Sequence, residues 1–187
     1  MKFIFFLNFC LITVAHASAP VLKVKWVSNC VPLPRHSVIS YLTFWQKKVE
    51  VKTELYSDHH CKVLNLKIDL IANYNLGKSL KNGRKFDYVP SSVMMTLVSD
   101  EVVNYYNENY DQACYLSNWK LGIPKDISGK VCARIGIQEK HIQIYDLIFK
   151  SESHLQFGSF PNSGGGLVES DRPQMTNNSV IFRMKET

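Results

Sequence analysis

Alternation of apolar and polar residues dominates the chain. Val49, Val51, Thr53 and Leu55 alternate with Lys48, Glu50, Lys52 and Glu54. That segregates apolar and charged groups on the two faces of a strand, whereas a helix would scatter the charges around its surface. Leu64, Leu66, Ile68, Leu70, Ala72 and Tyr74 share one parity, opposite Asn65, Lys67, Asp69 and Asn73. Leu22, Val24 and Trp26 alternate with Lys23 and Lys25, and residues 37–45 are rich in aromatic and β-branched types; both are strand signatures. Residues 77–83, bounded by glycines, are expected to break the long strand. Residues 86–98 resume it with apolar side chains on both faces, as in a strand covered on its outer side. Residues 114–129 read as a loop with an edge strand. Further strands are expected at 131–138, 141–149, 154–157 and 180–185, with a Gly-, Ser- and Pro-rich loop at 158–173.

One segment departs from this period. In residues 100–110, DEVVNYYNENY, the side chains of Val102, Tyr105, Tyr106 and Asn109 fall at helical spacing. Asp100 can cap and Glu101 suits a first turn, so the pattern predicts one short helix. Eight or nine strands with short connections imply an antiparallel, mainly β domain. No βαβ rhythm is present, so Rossmann and α/β-hydrolase architectures fit poorly. An up-and-down meander closed into a β-barrel leaves no exposed edge; a two-sheet β-sandwich is the alternative.

The 187 residues supply one sizeable core. At 20% charged and 12% aromatic residues the chain is not an intrinsically disordered one. Past the N-terminus no run of about 18 apolar residues occurs, which argues against an integral membrane protein of several helical spans. The N-terminus itself reads MKFIFFLNFCLITVAHASAP. Lys2, an apolar stretch to Val14 and the small-x-small Ala15-His16-Ala17 form an export signal with cleavage expected after Ala17. The chain thus divides into a signal peptide at 1–17 and a single antiparallel β domain at 18–187, with a secreted or periplasmic location. Cys10 follows a bulky Phe9 and is not a lipidation site. The formal charge is +6. Loss of Lys2 leaves about +5 on the mature chain, enough to favour anionic surfaces without demanding nucleic acid.

Cys30, Cys61, Cys114 and Cys132 remain after cleavage. An even number in an exported chain suggests two disulfides, with three pairings open. Cys30–Cys61 with Cys114–Cys132 is favoured because it closes the shorter loops. No C-x₂₋₄-C spacing points to structural zinc, and no C-x-x-C to an oxidoreductase.

The chain resembles bacterial lipocalin-like (calycin) proteins. The resemblance rests on Trp26 followed by Cys30, the charged meander ending in Tyr56-Ser57-Asp58 before Cys61, Leu155-x-Phe157-Gly158, and Arg172-Pro173 ahead of a terminal strand with Phe182-Arg183. It implies an up-and-down barrel whose interior holds a small apolar molecule. Two features depart from the family: Val24 stands where its Gly-x-Trp signature has glycine, and the helix lies mid-chain rather than before the last strand.

In such a barrel one parity of each strand lines the interior, which nominates Val49, Val51, Leu55, Leu66, Ile68 and Leu70 as ligand-binding residues. The same side chains could fill a small barrel completely. The second reading is therefore a structural or protein-interaction module using exposed Tyr105, Tyr106 and Tyr110, or the basic run Lys78, Lys81, Arg84 and Lys85 on an anionic surface. The third is a hydrolase with an unrecognised site. Signals for the last are weak. His36, His141 and His154 sit in or beside strands, and no Gly-x-Ser-x-Gly elbow occurs. Glu50 and Glu54 lie on a charged outer face. Asp58-His59-His60 reads as a solvated turn rather than a metal site, and Gly164-Gly165-Gly166 lacks the Lys-Ser/Thr of a phosphate loop. Asn177-Asn178-Ser179 matches a glycosylation sequon. No metal, cofactor or nucleic-acid partner is expected. Trp26 shares the inward parity and is expected to plug one barrel end beside a Cys30–Cys61 staple.

Overall fold

The computed structural model describes residues 24–132, 136–137, 140–160 and 165–185, with the backbone alone at 136 and 137. The expected signal peptide and Leu22 lie outside the described residues. In chain order the elements are β1 (Lys25–Ser28), β2 (Val31–Leu33), β3 (His36–Trp45), β4 (Lys48–Tyr56), β5 (Leu64–Leu80), β6 (Gly83–Leu97) and α1 (Asp100–Glu108). There follow β7 (Lys125–Asp126), β8 (Val131–Cys132), β9 (Gly136–Ile137), β10 (Ile144–Lys150), β11 (His154–Phe157) and β12 (Phe182–Met184).

The alternation of the sequence becomes a closed wall. Strands β3, β4, β5, β6, β10, β11 and β12 pair antiparallel in turn, and β1 pairs with both β12 and β3. Trp26 thereby stands opposite Met184 on one side and Leu42 on the other, which closes an eight-stranded barrel and rules out the sandwich. β2 continues along the same edge of β3, with Val31 opposite Val38. A single rung shows why this register holds: Leu42 faces Val51, Val51 faces Leu70, and Leu70 faces Val93. A slip of one residue in any strand would turn its apolar set out to solvent.

The connections sort by length. Tight turns join β3 to β4, β5 to β6 and β10 to β11 at one end of the barrel. The long connections, including the β6–β10 segment that carries α1 and β7, all lie at the other end, which is the mouth. At the closed end β5 does not break at residues 77–83. It runs through Gly77 to Leu80, with a register shift between Leu76 and Ser79, and only Lys81-Asn82 form the turn. Gly83 is required there: its φ is +148°, and a Cβ would lie 2.7 Å from the Ile148 carbonyl oxygen.

The closed half of the barrel holds an aromatic-rich core. Trp26, Leu42, Phe44, Val49, Ala72, Phe86, Ile148, Leu155 and Phe182 are buried together. Phe86 is the hub, with ring centroids 5.3 Å from Tyr74, 5.6 Å from Tyr88 and 5.4 Å from Phe157. Trp26 is fully buried within this cluster. Its neighbours are these inward side chains, and the disulfide it was expected to meet is not among them. The reason is direction: β1 runs from the closed end towards the mouth, so Trp26 lies low in the barrel and Cys30 at its rim. Outside the wall, the connection after β11 folds back over β6 and β10. Buried Arg172 anchors it, paired with Asp87 at 2.6 Å, donating to the Asp146 carbonyl at 2.6 Å and lying over the Tyr145 ring.

Candidate functional site

The mouth is built by the one helical segment. Ser99, not Asp100, caps α1: its hydroxyl accepts from the Val102 N–H at 3.2 Å, with Asp100 and Glu101 in the first turn. The helix then turns Tyr106 onto the inward side chains Leu66, Val93, Met95 and Leu97. Tyr106 packs edge-on to Trp119 at 5.6 Å. Asn107 fixes Trp119 by accepting from its backbone N–H at 2.8 Å and donating to its carbonyl at 3.0 Å. β10 reaches only as far as Tyr88 on β6; beyond it, β7 takes the free edge at Met94 and Met95. Helix and loop therefore stopper the mouth on the β5–β6 side.

Both disulfides are here. Cys114–Cys132 closes the segment that carries Trp119 and β7, and Cys30–Cys61 ties the β1–β3 connection to the β4–β5 connection. The favoured pairing is the one present. Asp58 organises the second of these loops as a turn. Its carboxylate accepts from the backbone N–H groups of Val63, Lys62 and His60 at 2.6–2.9 Å, which holds it below the usual carboxylate range.

On the opposite side the stopper leaves a cleft of about 870 Å³. Its walls are the β2–β3 turn (Pro34, Arg35, His36), the top of β4 and β5 (Leu55, Tyr56, Leu66) and the helix face with Val102 and Tyr105. Most of the lining is apolar. Arg35 and His36 stand on the turn, Glu101 and Glu108 on the helix. Beside the cleft, Tyr56 donates to Glu54 Oε2 at 2.7 Å and Tyr41 donates to the same atom at 3.2 Å, while Lys67 lies 3.6 Å from its other oxygen. Burial and this carboxylate push the Tyr56 phenol far up, so it stays a donor at any working pH.

The six nominated residues share the inward face but split by depth. Leu55 and Leu66 line the cleft. Ile68 packs with the mouth cluster, Val51 with the closed-end cluster and Leu70 with both, each half-buried. Val49 is sealed in the closed-end core. The surface tyrosines divide likewise: Tyr110 is exposed, Tyr105 lines the cleft, and Tyr106 is buried. The basic run is not one loop, since Arg84 and Lys85 lie within β6 and Lys85 is ion-paired with Glu169. The carboxylates Glu50 and Glu54 are engaged by Lys52 and Lys67. Sequence reasoning missed the helix face and the Pro34–His36 turn as walls. Spacing revealed the helix, but nothing local to it says which strand ends it covers.

No protein-family model matches the chain, and no curated protein matches it in sequence. The closed eight-stranded antiparallel barrel is consistent with a calycin-like fold.

Proposed function

We propose that this is an exported, lipocalin-like binding protein that takes a small, mainly apolar, lipid-like molecule at the barrel mouth and acts in the periplasm or outside the cell. The observation that carries the reading is the cleft beneath α1. Its volume falls within the roughly 300–1,000 Å³ of small-molecule sites, and an apolar lining with a few polar groups at the rim is their usual chemistry. The half-buried Val51, Ile68 and Leu70 lie on the same inward face below Leu55 and Leu66, so an acyl chain entering at the rim meets apolar wall. The buried cluster of Phe44, Phe86 and Trp26 limits its depth. The apolar N-terminal stretch and two disulfides support export.

The test is fluorescence titration with cis-parinarate. Val102→Glu adds an acid to a helix first turn that already carries Asp100 and Glu101, where the helix dipole tolerates it, and sets a charge against the apolar wall of the cleft. It is expected to weaken binding by about tenfold or more. Leu80→Ser, at the far end, should leave binding unchanged. Saturable binding that ignores Val102→Glu and Leu55→Arg would place the ligand elsewhere and overturn the reading.

A further inference from the structure

The closed end of the barrel repeats one arrangement at every place where the chain reaches it. At the β3–β4 turn Trp45 is followed by Lys47 and Lys48, at the β5–β6 turn Leu80 by Lys81, and at the β10–β11 turn Phe149 by Lys150. The strand ends do the same, with Val24 before Lys25 at the start of β1 and Met184 before Lys185 at the end of β12. These five apolar side chains are between 36% and 45% exposed, and the lysines named are exposed with them. The register places them on one rim. Trp45 pairs with Lys48, Lys25 with Thr43, Trp26 with Met184, and Leu80 with Gly83. A shallow hollow of about 290 Å³ lies directly between the β5–β6 and β10–β11 tips, walled by Leu80, Lys81, Phe149 and Lys150. Among the described residues of this end the carboxylates are mostly committed. Glu50 is held by Lys52, Glu169 by Lys85 and Asp87 by Arg172, Asp146 is buried, and Glu152 stands in the β10–β11 turn.

We propose that this rim docks on an anionic lipid bilayer, with Trp45, Leu80 and Phe149 entering the headgroup boundary and the lysines beside them lying at the phosphate level. Protruding apolar tips alternating with cations match a membrane interface, where apolar burial and attraction to anionic lipid add. A polyanion such as nucleic acid would use the cations through its phosphates and leave exposed Leu80, Met184 and Val24 without a role. The packed core behind the rim, from Phe86 to Trp26, makes it a rigid foot. In this pose the mouth and its cleft face away from the bilayer, so the docking is independent of the ligand reading.

Trp45 supplies the readout, because Trp26 and Trp119 are buried and give a constant background. The full chain, and in parallel the chain beginning at Ser18, is mixed with phosphatidylcholine vesicles with and without phosphatidylglycerol. The expected result is partitioning that needs phosphatidylglycerol, a blue shift of Trp45 emission, and quenching of Trp45 by lipids brominated near the headgroup. Joint Lys47→Gln, Lys81→Gln and Lys150→Gln substitution should lower partitioning by about a hundredfold, each lysine being worth about fivefold at an anionic surface. Leu80→Ser with Phe149→Ser should lower it while leaving weak binding to single-stranded DNA unchanged. All these sites are exposed, so unchanged melting temperatures confirm intact folds. The proposal is overturned by absence of partitioning, by partitioning indifferent to the Gln variant, by Trp45 emission that does not shift on binding, or by stronger binding to DNA than to phosphatidylglycerol vesicles.

Discussion

Two buried side chains, Trp26 and Asp146, give sharp predictions at the scale of single residues. Trp26 sits in the closed-end cluster with its indole Nε1 lacking a hydrogen-bond partner. Trp26→Ala leaves a cavity in a packed interior, and a loss of about 3–5 kcal/mol in denaturant unfolding is expected. Trp26→Phe keeps most of the packing and sheds the unpartnered N–H, so its loss should be clearly smaller. Asp146 is the other. Its Oδ1 accepts from the Leu147 N–H at 2.6 Å and the Gly158 N–H at 3.1 Å, extending the β10–β11 ladder past its last paired rung. Burial nevertheless pushes its carboxyl up to about 7, against those N–H groups and Arg172, which pull it down. Between the ordinary value of 3.8 and about 7 the folded chain keeps a proton that the unfolded chain has lost. Stability therefore falls as pH rises through that window, by up to about 1.4 kcal/mol per pH unit, and is flat on either side as far as this group is concerned. Asp146→Asn keeps an oxygen acceptor without the charge. Melting temperatures of the variant measured from pH 4 to pH 8 should lose that downward slope.

At the scale of elements, the β6–β10 connection is the one that makes the site. Cys114 and Tyr115 both take positive φ, at 58° and 55°, a left-handed conformation that costs an L-residue roughly 1–2 kcal/mol. The segment tolerates it because Cys114 is bonded to Cys132 and Trp119 is clamped by Asn107. With a sequence separation of 18, the loop-entropy model gives this disulfide about 3 kcal/mol. Joint Cys114→Ser and Cys132→Ser substitution is expected to lower stability by about that amount. It should also open residues 109–130 to limited proteolysis before the strands are cut. If α1 is the roof of a ligand cleft, the same variant binds cis-parinarate more weakly.

At the scale of the molecule, the two ends are built differently. The closed end has tight turns over an aromatic core, and the mouth has long connections held by two disulfides and a helix. Local opening follows contact density and burial. Native-state hydrogen exchange should therefore find the slowest amides around Phe44, Ala72, Phe86 and Ile148, and faster exchange in 57–63 and 99–123. Uniform protection across both ends would contradict this division.

Much of the wall was readable before any coordinates. In β4 and β5 each residue's face follows from period two alone, because a strand with one face in an apolar interior must alternate, so the inward set Val49 to Leu70 needed no structure to name. The continuation of β5 through Gly77 was not readable, since a glycine that permits a close approach to Lys85 looks in sequence like one that ends a strand. Nor could Trp26 be placed relative to Cys30, because the staple's position depends on which way β1 runs between its two partners. Residue types and their spacing determined which side chains are inward and that one helix interrupts the meander, and favoured one of three cysteine pairings. Only the tertiary structure decided that α1 lies across the mouth, that Leu55 and Leu66 border a cleft while Val49 is sealed, and that the Trp45, Leu80 and Phe149 tips share a rim. Alternation is a local consequence of burial on one face, whereas depth in the barrel and company at its ends are set by strand register and closure between segments far apart in the chain.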